Sequence, residues 1–143
     1  MTTTDRFHVL VIDDNPGDID LIELGFSDLS IPIRFSQAAD GISGLQLIKE
    51  LSASRSCPDL ILLDLNMPKV NGFEVLESIR SLDLCARCMV VILTTSSAPA
   101  DHARCLALGA NRFETKPSTY DDLLRLIGLL HGESSGSSPA GSV

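Results

Sequence analysis

Apolar residues gather in five short runs: Phe7–Ile12, Ile31–Ser36, Asp59–Leu63, Met89–Leu93 and Arg112–Thr115. Three of these (within 8–12, 60–63 and 89–93) show no polar–apolar alternation. A strand apolar on both faces is what a parallel sheet covered by helices on each side requires. The second run is less continuous and the fifth carries Arg112 and Glu114, so these two suit the sheet edges. Between the runs the period changes. Ile19, Ile22, Phe26 and Leu29 form one helical stripe, Leu45, Ile48 and Leu51 a second, Phe73, Leu76 and Ile79 a third, and Leu123, Ile127 and Leu130 a fifth. Pro99–Leu108 is a weaker fourth. Asn15-Pro16 supplies an N-cap and a proline at the first helical position. Asn71-Gly72 breaks the chain before the third helix, and Gly109 stands where a left-handed cap ends the fourth. The pattern is strand–helix five times, an α/β (βα)5 doubly wound parallel sheet with right-handed crossovers. The order 2-1-3-4-5 is taken from known folds of this kind rather than derived from the pattern. In such sheets ligands bind at the carboxyl ends of the strands, beside the switch between the first and third.

Residues 1–6 read as a short arm, 7–131 as the domain, and 132–143 as a disordered Ser/Gly/Pro-rich tail. With 143 residues the chain suits one domain, and 44% apolar composition argues for a packed core. Nineteen acids against eleven bases give a net charge of −8, with no basic run. That balance argues against direct nucleic-acid binding and against an anionic membrane surface. The first residues lack the apolar stretch of a signal peptide and nothing is long enough to span a bilayer, so a cytoplasmic protein is expected. Its four cysteines are accordingly expected to be reduced thiols. Cys85-Ala-Arg-Cys88 matches C-x-x-C but precedes an apolar run, and no second pair or nearby histidine pair completes a zinc site. It reads as two ordinary cysteines between a helix and a strand.

The polar residues that change the picture follow the apolar runs. Asp13-Asp14 ends the first strand, Asp64 the third, Thr94-Thr95 the fourth and Lys116-Pro117 the fifth. A parallel sheet brings them to one edge. Close carboxylates repel, and protonation or a cation must relieve this. Mg²⁺ prefers such oxygens and keeps several waters. Lys116 adds a cation able to pair with Asp64 or a phosphoryl group, Thr94 adds a hydroxyl donor, and a carboxylate can itself accept a phosphoryl group. Each residue alone has a plainer reading as a capped turn, a solvated strand end or a β-branched strand residue; their joint placement is harder to dismiss. There is no Walker or dinucleotide glycine motif, and the calcium-loop-like start at Asp64-Leu-Asn66 fails at Lys69 and Val75. His8 reads as structural, and His102 and His131 as lying on solvated helix faces.

Over Phe7 to His131 the chain resembles the receiver domains of bacterial two-component response regulators. The matching pieces are residues 9–14, 59–68, Asn71-Gly72, Leu93-Thr94, Gly109-Ala110 and Lys116-Pro117. The stretch 64–72 followed by Thr94-Thr95-Ser96 looks most like the stand-alone receivers paired with bacterial phytochromes. The resemblance implies a flavodoxin-like fold and gives the residues their roles. Asp64 is implied as phosphoacceptor, Asp14 as a direct Mg²⁺ ligand, Asp13 as one acting through water, and the Asn66 carbonyl as the remaining protein ligand. Thr94 and Lys116 are implied to bind phosphoryl oxygens, with Lys116-Pro117 a cis peptide. Thr94 and Phe113 are implied to be the switch pair; Phe113 lacks the hydroxyl of the tyrosine many relatives carry. Asn66 and Ser96 occupy the positions that tune phosphoryl lifetime.

The implied partner is a sensor histidine kinase, and the protein is no enzyme beyond its own phosphorylation and dephosphorylation. Little chain follows the last helix, so output is expected through protein contacts. Leu124 and Leu129 fall outside that helix's core stripe, which suggests a homodimer through the fourth helix, fifth strand and fifth helix. Two rivals are weaker. A degenerate receiver acting only as a binding module would not need a complete acceptor site. A haloacid-dehalogenase-type phosphatase places Asp-x-Asp after its first strand, where this chain has Asp13-Asp14.

Overall fold

The computed structural model describes residues 6–134. Its elements are β1 (Phe7–Ile12), α1 (Pro16–Asp28), β2 (Ile33–Ala38), α2 (Gly41–Ala53), β3 (Leu60–Leu63), α3 (Gly72–Ser81), β4 (Met89–Thr94), α4 (Pro99–Ala107), β5 (Arg112–Thr115) and α5 (Tyr120–Ser134). The strands form one parallel sheet in the order 2-1-3-4-5, the expected order. Alternate strand residues point to opposite layers. Leu10, Ile12, Ile61, Leu63, Val90 and Ile92 pack with residues of α2, α3 and α4. Val9, Val11, Leu60, Leu62, Val91 and Leu93 pack with α1 and α5. No helix among the described residues is long and apolar enough to cross a membrane.

The expected caps form. The Asn15 side chain accepts from the Asp18 amide at 3.2 Å, with Pro16 next. Asn71 and Glu74 make a reciprocal capping box, 3.1 and 3.0 Å. Gly109 follows α4 at φ +105°, a conformation open to glycine.

Several expectations are corrected. β2 starts at Ile33 rather than Ile31, because the Ile31 amide closes the end of α1 on Phe26 O at 3.0 Å and Pro32 has no amide to give a ladder. Leu29 is the C-cap of α1, 37% exposed, not part of its core stripe. Residues 132–134 continue α5 instead of opening a tail, with Ser134 Oγ donating to Leu130 O at 2.6 Å. The rest of that tail, and the arm before Arg6, lie outside the described residues. The cysteines are not all thiols: Cys57 and Cys85 form a disulfide, Cα–Cα 5.5 Å. The connections leading into the neighbouring strands β3 and β4 run side by side and bring the two cysteines together. Cys88 and Cys105 are free and buried, and burial pushes their thiols up to about 12 and about 11.

Of the two helix histidines, His102 lies on an exposed face as expected, whereas His131 is half-buried. His102 also stacks on Phe113, with centroids 4.9 Å apart, and His131 makes a T-shaped contact with Phe7, centroids 4.8 Å apart. His8 is structural as expected: buried, with Nε2 2.8 Å from Ser36 Oγ. Burial and then the nearby Arg34 charge lower its pKa from the ordinary 6.5. The fold thus favours neutral imidazole. The resulting stability is fully present above pH 6.5 and is lost as pH falls through the lowered folded-state value. The thermal midpoint should drop between about pH 7.5 and about pH 5.5, and His8→Gln should flatten that part of the profile. An unchanged slope in the variant would refute the assignment.

Candidate functional site

The strand register builds the site. Ile12 pairs with Leu63, and Leu63 with Ile92, so Asp13 and Asp64 leave β1 and β3 side by side. Thr94 pairs with Thr115, which sets Lys116 next to the end of β4. Main-chain bonds continue the sheet into these residues: Asp13 N to Ala38 O (3.1 Å), Asp64 N to Ile12 O (3.0 Å) and Lys116 N to Thr94 O (2.7 Å). The expected residues Asp13, Asp14, Asp64, Thr94 and Lys116 are therefore brought together.

Their environments differ. Asp13 and Asp64 are buried, Thr94 is fully buried, and Asp14 is exposed. Oxygens of Asp13, Asp14 and Asp64 lie within 4.8 Å of one another. Lys116 Nζ stands 2.9 Å from Asp13 Oδ2 and 3.7 Å from Asp64 Oδ2. It is closest, at 2.6 Å, to Asp18 Oδ2. Nothing in the sequence distinguishes Asp18. It sits in the first turn of α1, where an acid is ordinary helix chemistry. Burial raises the Asp13 pKa, opposed by its hydrogen bonds with Lys116 and the Asn15 amide. Burial alone would lower Lys116, but the bonds to Asp18 and Asp13 outweigh it and the net shift is upward.

Among the described residues one buried side-chain oxygen has no hydrogen-bond partner, Asp64 Oδ1. A buried carboxylate oxygen without a donor is costly, and such an atom is suited to meeting a bound cation or ligand. Three convergent carboxylates are a donor set that suits a hard divalent cation.

The flanking positions are less uniform. Asn66 is exposed and its Nδ2 donates to Thr94 Oγ1 at 3.4 Å. The Ser96 hydroxyl turns away to Asp101 Oδ2, 2.6 Å, while its amide reaches Thr94 Oγ1 at 3.4 Å. Phe113 is half-buried under His102. The Lys116–Pro117 bond, expected cis, is trans, as are all described peptide bonds. Trans is favoured even before proline by about 0.5–1 kcal/mol, and the Lys116 amide reaches Thr94 O without the cis form.

Comparison with known proteins agrees with this geometry. The family model described as "Response regulator receiver domain" matches residues 9–128. The probable methanogenesis regulatory protein FilR2 of Methanothrix harundinacea is 34% identical over 86% of this chain and 80% of its own length. The phosphorylated cyanobacterial phytochrome response regulator RcpA has a crystal structure 32% identical to this chain, TM-score 0.77, covering 88% of this chain and 91% of that one. The Mn²⁺-bound form of response regulator Rcp1, a protein of Synechocystis, is 30% identical with TM-score 0.74, covering 87% and 91%. The chain spans only 48% and 56% of the length of two further curated relatives that it matches. A match that runs from β1 into α5 and takes in all the clustered residues leaves no ambiguity: this chain belongs to the response regulator receiver domain family.

Proposed function

We propose that the protein is a cytoplasmic response regulator whose receiver domain accepts a phosphoryl group on Asp64 from a phosphohistidine on a sensor histidine kinase. The observation that carries this reading is Asp64 Oδ1, buried, without a partner, among carboxylates and a lysine. An Asp64 carboxylate oxygen attacks phosphorus, the N–P bond breaks, and the kinase imidazole leaves with the bonding pair. Thr94 and Lys116 bind the phosphoryl oxygens; the hydrogen bonds of Lys116 to Asp18 and Asp13 raise its pKa and favour its cationic form. Asp13, Asp14, Asp64 and the main-chain carbonyl of Asn66 would hold Mg²⁺. A bound Mg²⁺ supplies neutralising charge to the transferred group, and positioning with neutralisation is most of what this chemistry needs.

The product adds nearly two negative charges at the end of β3. Thr94 moves toward them and Phe113 leaves its stack on His102 to turn inward, a shift between two populated states. Asn66 and Ser96 set how long the group persists. Likeness to RcpA and Rcp1 makes a phytochrome-type kinase the favoured donor.

The decisive test is incubation with a small acyl phosphate and Mg²⁺, followed by intact mass. A gain of one phosphoryl group is expected, lost in Asp64→Asn and on chelation, with altered decay in an Asn66→Ala, Ser96→Ala double variant. A folded wild-type protein that takes up nothing and also fails to bind beryllofluoride would favour a phosphate-independent binding module.

The surface of α4, β5 and α5 is proposed to be a homodimer face. Leu106 and Leu129 are 45% and 47% exposed there. Leu124 is half-buried instead and lies near Gly25 of α1, so only Leu129 of the two flanking leucines supports the idea. Light scattering should report a dimer when beryllofluoride is bound; a monomer in both states would count against it.

A further inference from the structure

The Cys57–Cys85 disulfide lies at the end of the sheet opposite the carboxylates. Its two cysteines differ in exposure. Cys85 is 6% exposed and packs in the core layer with α3. Cys57 is half-buried and lines a cavity of about 400 Å³. Three arginines line the same cavity, Arg6, Arg34 and Arg55, together with His8 and one acid, Asp59. One oxygen of Asp59 already accepts the His8 amide at 2.8 Å. Arg34 and Arg55 are exposed and form no ion pair with any described residue. The third nearby cysteine, Cys88, is no internal attacker, because it is 5% exposed and burial holds its thiol protonated, up to about 12. Chemistry at this disulfide must come through Cys57 from outside.

We propose that Cys57 is a thiol-exchange site, at which an anionic low-molecular-weight thiol bearing carboxylate groups enters the arginine-lined cavity and opens the Cys57–Cys85 disulfide. The incoming thiolate attacks Cys57 Sγ and forms a mixed disulfide. The Cys57–Cys85 bond breaks, and its electron pair leaves on Cys85 Sγ, which takes a proton from water. A second thiolate attacks the small-molecule sulfur of the mixed disulfide. Cys57 is released as a thiolate and the small thiol leaves as its own disulfide. Two thiols are oxidised and one protein disulfide is reduced; the reverse steps restore it. The arginines concentrate the anion and favour the Cys57 thiolate as it forms.

The net charge of −8 makes the test sharp, since the whole-protein field attracts cationic reagents. The oxidised full-length protein is treated with mercaptoacetate or cysteamine, rates are compared per thiolate, and the adduct is located by peptide mass. The anionic thiol is expected to react faster, on the order of tenfold at low ionic strength, with the advantage shrinking as salt is added. The adduct should sit on Cys57. Arg34→Gln with Arg55→Gln should abolish the preference, and Cys88→Ser should leave the rate unchanged. An equal or faster rate with cysteamine, an adduct on Cys85, or no reaction of the folded wild-type protein would each overturn the proposal.

Discussion

Gly72→Ala is expected to lower stability by about 2 kcal/mol, within the usual range for overpacking, and to remove most phosphoryl uptake. A Cβ built at Gly72 would lie 2.4 Å from Asp64 O, 2.7 Å from Leu65 Cα and 3.0 Å from Asp64 C. All three are main-chain atoms, which cannot swing aside as a side-chain tip can. The Gly72 amide also donates to Leu65 O at 3.1 Å, so helix α3 and the end of β3 are already in contact. Relief must come from moving the peptide that carries Asp64, and a carboxylate misplaced by even an ångström loses much of its reactivity. Gly128→Ala is the control. It is exposed in α5 with nothing within 4 Å of its added Cβ, so it should be neutral or slightly stabilising. Urea unfolding and intact mass on both variants check the pair. Full uptake by Gly72→Ala would mean that the β3–α3 junction yields without disturbing Asp64.

Lys116→Met should destabilise the protein by about 2 kcal/mol at neutral pH. Removing one partner of a buried ion pair typically costs about 3–5 kcal/mol; Asp18, whose side chain is 32% exposed, remains hydrated and reduces the figure. Asp13 and Asp64 would stay buried without their cation. Burial already raises the Asp13 pKa, and losing Lys116 raises it further. A raised folded-state pKa contributes stability below the unfolded-state value that is lost as pH rises through the folded-state value. The deficit should therefore be smallest in acid and grow toward neutrality. Mg²⁺, left as the available neutraliser, should stabilise the variant more than the wild type. Thermal unfolding across pH with and without Mg²⁺ measures both effects. A pH-independent deficit, with no extra benefit from Mg²⁺, would show that Lys116 acts through packing of its stem alone.

Where one physical signal dominates, the sequence could be read directly. β1 and β5 fall on their expected bounds, because an uninterrupted apolar run and a short mixed run each end at a polar break. The clustered residues were legible for the same reason: Asp13, Asp64, Thr94 and Lys116 stand at strand ends, and parallel register brings strand ends together. Asp18 was not, since its contact with Lys116 joins residues 98 apart through a helix turn with no distinctive spacing. The disulfide joins cysteines 28 residues apart, a separation that matches no motif, whereas the Cys85–Cys88 spacing does match one. Its formation depends on which strands are neighbours. Apolar Ile31 signals burial equally well in a helix cap and in a strand, so the pattern alone places the start of β2 two residues early.

The alternation of strand and helix has an electrical consequence. Every helix begins at the edge where the strands end, and helix N-termini carry partial positive charge. Acids in first turns gather there: Asp18, Glu74, Asp101, Asp121 and Asp122. Together with Asp13, Asp14 and Asp64 they make that edge strongly negative. At the far pole stand Arg6, Arg34 and Arg55 around one cavity and Arg80, Arg87 and Arg112 around another. These residues separate charge along the strand direction, although Lys116 at one end and Asp59 and Glu133 at the other reduce the contrast. In the field of a charged partner the molecule experiences a torque before it makes contact, and it turns its carboxylate edge toward positive charge.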